Sequence, residues 1–120
     1  MEDLIIREIH DISDFVHDIK TVDAIPEMQV QLDLAIGYSQ RIGELLNEAE
    51  RAYSVRKANC IARLGNMEDE TEVLRKTKLE AWVADDRKLY KDLKNIQQHL
   101  RQRIMSLFQS INTRRMEINR

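Results

Sequence analysis

The chain has 120 residues, a third of them charged, with three Gly, one Pro and only 5% aromatic side chains. That profile excludes a sheet protein with frequent turns and fits long, charged helices. No run of about 18 apolar residues occurs, which excludes a membrane-spanning helix, and the single Cys60 excludes an internal disulfide and fits a reducing compartment. The net charge of −2 conceals an asymmetry: residues 1–50 hold twelve Asp/Glu and three Lys/Arg, net −9, and residues 51–120 hold nine and sixteen, net +7. Acidic and basic parts this distinct imply different partners for different surfaces, or packing of one part on a neighbour's other part.

The length allows one domain, 1–120. Its first segment, MEDLIIREIH, has no basic stretch ahead of an apolar core, so no signal peptide is expected in it. Residues 2–20 read as a helix, because Leu4, Ile5, Ile9, Ile12, Val16 and Ile19 recur at helical spacing with Glu8, Asp11, Asp14 and Asp18 between them. A helix this short needs a docking partner. The segment TVDAIP (21–26) breaks the pattern. Asp23 is a candidate cap, and Pro26 is tolerated in a first turn.

Residues 24–64 read as one long helix, about 60 Å at 1.5 Å per residue. Ile42, Leu46, Ala49, Tyr53, Arg56, Cys60 and Leu64 alternate spacings of four and three, a coiled-coil-like seam. Gly37 and Gly43 weaken this helix against Ala and point to a close approach or a bend. Gly65 suits a left-handed position after a helix end, and Asn66 suits the N-cap of the next helix. Residues 68–118 then read as a third helix, with a seam of Leu89, Leu93, Ile96, Leu100, Ile104, Leu107 and Ile111. The extra four-residue step from Leu100 to Ile104 relaxes left-handed supercoiling. The expected fold is therefore all-α: a long antiparallel helical hairpin with a short N-terminal helix. Its apolar stripes are too wide for one copy to cover, so a homo-oligomer with hairpins side by side is expected.

Arg51, Arg56, Lys57 and Arg63 precede the turn at Gly65-Asn66, and Arg75, Lys76 and Lys78 follow it. Folding back brings both groups to one end of the hairpin. Lys and Arg gathered there suit the phosphates of a nucleic acid backbone, with salt-dependent affinity and no sequence readout. The bland alternative is a solvated face, with Arg75 and Lys78 paired to Glu72 or Glu80. Tyr53, Trp82 and Tyr90 flank the same region. Packing between helices is the reading favoured for such rings, and base stacking the alternative.

His10, Asp14 and His17 share a helix face, but no fourth ligand is indicated, and no metal or cofactor is expected. Cys60 reads as a small buried hydrophobe. With no phosphate loop, nucleophile elbow or metal motif, and few loops from which to build a pocket, the chain does not read as an enzyme.

RKANCIAR (56–63), the Lys-rich EVLRKTKLEAWVADDRKL (72–89) and the amphipathic LRQRIMSLFQSINTRRMEI (100–118) form a pattern. Over residues 55–118 it resembles the core of the UvsY-like recombination mediators of bacteriophages. The resemblance implies a ring-like homo-oligomer that binds single-stranded DNA. It further implies help in loading a RecA-like recombinase onto strands coated by single-strand-binding protein, in the cytoplasm of a bacterial host. Arg56, Lys57, Arg63, Arg75, Lys76 and Lys78 would neutralise the backbone. The acidic first helix departs from the pattern. The rival expectation is a helical adaptor, chaperone or inhibitor that binds a protein and not DNA.

Overall fold

The computed structural model describes residues 2–18, 24–66 and 71–119. Four helices follow one another: α1 (Glu2–His17), α2 (Ile25–Gly65), α3 (Glu72–Trp82) and α4 (Ala84–Ile118). No strand occurs among the described residues, and none of the helices is long and apolar enough to cross a membrane. The molecule measures 76 × 28 × 18 Å, the proportions of a helical hairpin rather than of a ball.

The pairing of residues shows the antiparallel course. Met28 and Leu32 at the start of α2 pack against Leu107 and Ile111 near the end of α4. Ile42, Leu45, Leu46 and Ala49 meet Leu93, Ile96 and Leu100 in the middle. Arg56 reaches Trp82 and Asp86 farther along. The seams expected from spacing are the buried faces over most of their length. Leu89 is the exception on α4; it is exposed, and half-buried Tyr90 packs against the core in its place.

α1 covers the middle of the hairpin. Ile12, 1% exposed, enters the central core, and Ile5, Ile9, Phe15 and Val16 pack around it. Phe15 meets Tyr38 of α2 edge to face at 5.0 Å. The Arg41 guanidinium takes both carboxylate oxygens of Glu8, through Nε to Oε1 and through Nη2 to Oε2 at 3.1 Å, and its Nη1 donates to Glu44 at 2.9 Å. These bonds raise the Arg41 pKa above its ordinary range, Glu8 contributing most. The fork geometry of guanidinium on carboxylate fixes the angle of α1 on α2.

Several local expectations are corrected. α2 ends without a left-handed residue: no glycine has positive φ among the described residues, and Asn66 is the C-cap of α2 in a right-handed conformation. Thr71, not Asn66, caps α3, its hydroxyl accepting from Leu74 N at 3.3 Å. Neither Gly37 nor Gly43 has a neighbour within 4 Å of where a Cβ would lie, so neither marks a close approach between these helices. Asp23 and the expected helical start at 68 lie outside the described residues.

The span expected as one helix over 68–118 is interrupted at Val83 (φ −105°, ψ 5°), which lies in the bridge region between helical and extended backbone. Hydrogen bonds continue on both sides, Val83 N to Leu79 O at 3.2 Å and Arg87 N to Val83 O at 3.0 Å, so the chain kinks rather than separates. A polar group from another element inserts here: Arg56 Nε donates to Trp82 O at 3.0 Å. Side-chain insertion of this kind is an established cause of kinks. The kink lets Val83 point fully into the hairpin, at 0% exposure.

Candidate nucleic-acid interface

The tip of the hairpin, α2 beyond Ala49 with α3 and the start of α4, is thin. α3 buries none of its residues, and Leu64 and Val83 are the buried side chains here among the described residues. Two antiparallel helices can bury only one stripe each, and the remaining surface is open to solvent. That surface carries eleven of the chain's nineteen Lys and Arg, at positions 51–94.

The predicted cations separate into groups. Arg56 is exposed but tied to the fold: its Nε lies 3.1 Å from Asp86 Oδ2 as well as on the Trp82 carbonyl, so it joins α2 to the kink. Arg63 lies flat over the Trp82 ring at 4.9 Å, a cation–π contact between α2 and the end of α3. Arg75 and Lys78 are half-buried on α3 and already engaged by neighbouring groups. Lys57 and Lys76 are exposed. The structure therefore brings Arg56 and Arg63 together around Trp82, in a structural role, and leaves Lys57 and Lys76 turned to solvent.

Sequence reasoning named Tyr53 and Tyr90 but missed Arg87, Lys91 and Lys94 beside them. Tyr53, Ser54 and Glu50 of α2 and Arg87, Tyr90, Lys91 and Lys94 of α4 line one open groove. Lys57 Nζ stands 5.9 Å from the Tyr53 ring centroid and Lys94 Nζ 4.8 Å from that of Tyr90. Each such contact at a wet surface contributes about 0.5–1 kcal/mol. The Tyr53 side chain beside Arg87, with the nearby charge of Glu80, raises the Arg87 pKa above its ordinary value. Three cations and two half-buried tyrosine rings thus line a groove whose one lining carboxylate is Glu50, with Lys57 over the Tyr53 ring beside it. The signal was legible: Arg87, Lys91 and Lys94 stand at i, i+4 and i+7, with Tyr90 between them, and Tyr53 and Lys57 are four apart. The opposite side of the hairpin has its own groove, lined by Glu48, Arg51, Val55, Arg56, Asn59 and Asp86, where acids and bases balance.

Other candidates carry less. His17 Nδ1 donates to the Ser13 carbonyl at 2.7 Å and its ring meets His99 at 5.9 Å, while His10 is exposed. No group of three or more His, Cys, Asp or Glu among the described residues is placed to hold a metal ion. Cys60 is half-buried and unbridged. A scan of the chain against protein-family models found no match, and neither did searches of curated proteins and of solved structures.

Proposed function

We propose that the protein is a single-stranded-DNA-binding recombination mediator. In this reading it assembles as a homo-oligomer and helps load a RecA-like recombinase onto DNA coated by single-strand-binding protein, in a bacterial cytoplasm. It acts by binding, not by catalysis. The observation that carries the reading is the basic groove at the hairpin tip, where Arg87, Lys91 and Lys94 line a wall with the single carboxylate Glu50 and Lys57 stands over the Tyr53 ring. Exposed Lys76 adds to the same end of the molecule. Long cationic stems beside aromatic rings suit a flexible, single-stranded polyanion better than a folded acidic surface. The resemblance of residues 55–118 to UvsY-like mediators supports the recombinase-loading step, and recurrence of the groove in an oligomer would multiply its avidity.

A second reading, a protein-binding adaptor or chaperone, is favoured by the other end of the hairpin. Val30 and Leu34 on α2 and Met105, Phe108, Met116 and Ile118 on α4 are exposed there. Exposed apolar groups in such number mark a contact surface, between copies or with a partner. The deciding experiment is binding of a fluorescent single-stranded oligonucleotide at about 50 and 200 mM salt, with light scattering on the same sample. Four to six phosphate contacts predict an affinity falling about 50- to 300-fold across that range. A discrete oligomer that ignores DNA at the lower salt would overturn the mediator reading in favour of the adaptor.

A further inference from the structure

We infer that the Tyr53–Tyr90 groove is a base-stacking subsite that takes an unstacked nucleobase of a single strand while the surrounding cations hold its flanking phosphates. This inference rests on the polyanion reading above and adds to it the part of the ligand that is not charged.

The arrangement of the rings carries the inference. Both tyrosines are half-buried: Tyr90 packs against the central core and also borders the groove, and Tyr53 borders it from α2. They line the same groove from opposite helices. Among the described residues no other aromatic ring packs on either one; instead a lysine ammonium lies over each, Lys57 over Tyr53 and Lys94 over Tyr90. An ammonium is a small, mobile occupant of an aromatic face. A nucleobase covers far more of the ring, and every base offers a π-face, so stacking is tolerant of sequence. When a base enters, each lysine can swing aside on its four-carbon stem and meet a backbone phosphate, so the cation is re-used rather than lost. Arg87 lines the groove beside Tyr53. Lys91 follows Tyr90 on α4 and completes the basic border. Glu50 stands on the α2 side, where it repels phosphate and so limits the backbone to the cationic side of the groove.

A duplex keeps its bases stacked inside, and a chain without bases has nothing to offer the rings. The test therefore compares oligo-dT, an abasic deoxyribose-phosphate oligomer of equal length, and a duplex, each binding the full-length protein and its Tyr53→Ala/Tyr90→Ala and Tyr53→Phe/Tyr90→Phe variants. The parent is expected to bind oligo-dT about tenfold or more tighter than the abasic chain. The alanine pair should lose that preference while keeping its affinity for the abasic chain, and the phenylalanine pair should retain it. Circular dichroism of each variant verifies that the helices persist, and the phenylalanine pair preserves the packing volume should the alanine pair unfold. Equal affinity of the parent for oligo-dT and the abasic chain, both lost at high salt, overturns the stacking inference and leaves the polyanion reading standing. Undiminished preference in the alanine pair places the stacking elsewhere and also overturns it. Binding of neither strand at low salt overturns both readings together.

Discussion

The middle of the hairpin and its tip are built from the same two helical stretches, yet they are different kinds of structure. In the middle, α1 adds a third helix, and Ile12, Ile42, Leu93 and Leu100 are enclosed to 1% exposure or less. At the tip no third helix is present among the described residues, α3 buries none of its side chains, and Val73 on it is 77% exposed. Three helices enclose a core between them, whereas two bury only the line along which they touch. The contrast teaches that stability and binding chemistry occupy separate lengths of one rod: the middle holds the fold together, and the tip presents cations and rings at little structural cost.

The comparison is most easily broken by core truncation. Leu100→Ala, in the middle, is expected to lower unfolding stability by about 2–5 kcal/mol, because the space it leaves is closed on all sides. Leu74→Ala, on the exposed face of α3, should stay within about 0.5 kcal/mol. Chemical denaturation measures both, and similar losses would mean that the tip has a core of its own. Amide hydrogen exchange should give the same division, with α3 exchanging through local opening well before residues 93–107 of α4.

Next in size are gains. Gly37→Ala and Gly43→Ala should each stabilise by about 0.5–1 kcal/mol, since both lie inside α2 at ordinary helical backbone with open space for a methyl group. A loss in place of a gain, accompanied by a smaller particle in light scattering, would show that another copy covers these positions.

A smaller effect is expected of Arg41→Ala. It removes the fork between α1 and α2 and should lower the thermal midpoint slightly, because each side chain keeps about a third of its surface in solvent and the pair is screened by salt. Limited proteolysis between α1 and α2 should quicken, and no change in either would assign the docking of α1 to Ile12 and its neighbours alone.

The smallest effect on stability belongs to the pair Lys57→Ala and Lys76→Ala, within about 0.5 kcal/mol, as both are exposed. Their consequence should fall on binding instead. Removing two phosphate contacts reduces the magnitude of the salt-dependence slope for a single strand by about 1.4. An unchanged slope would remove both lysines from the site. Arg56→Ala should behave in the opposite manner, disturbing the kink at Val83 through loss of its bonds to Trp82 and Asp86, with less effect on DNA affinity than the lysine pair.

Periodicity alone determined that the chain is helical, where its long helices lie and which seams meet, because a buried stripe on a long helix must repeat at 3.5 to 3.6 residues whatever covers it. It also gathered Arg56, Lys57, Arg63, Arg75, Lys76 and Lys78 at one end, since a hairpin brings residues on either side of its turn together. The interruption at Val83 was partly legible, as Asp85 and Asp86 immediately after it are the acidic first turn of a new helix, but the continuous apolar spacing across it hid the kink. Only the tertiary structure decided the roles of the cations. Arg56 and Lys57 are neighbours in sequence, but consecutive residues on a helix point about 100° apart, so one is drawn onto Asp86 and the Trp82 carbonyl while the other remains in solvent over Tyr53. For the same reason Tyr53, Arg87, Tyr90 and Lys94 share one groove across two helices although more than 30 residues separate the first from the rest. Charge and spacing state what a residue can do; the register between packed helices determines which neighbour it does it with.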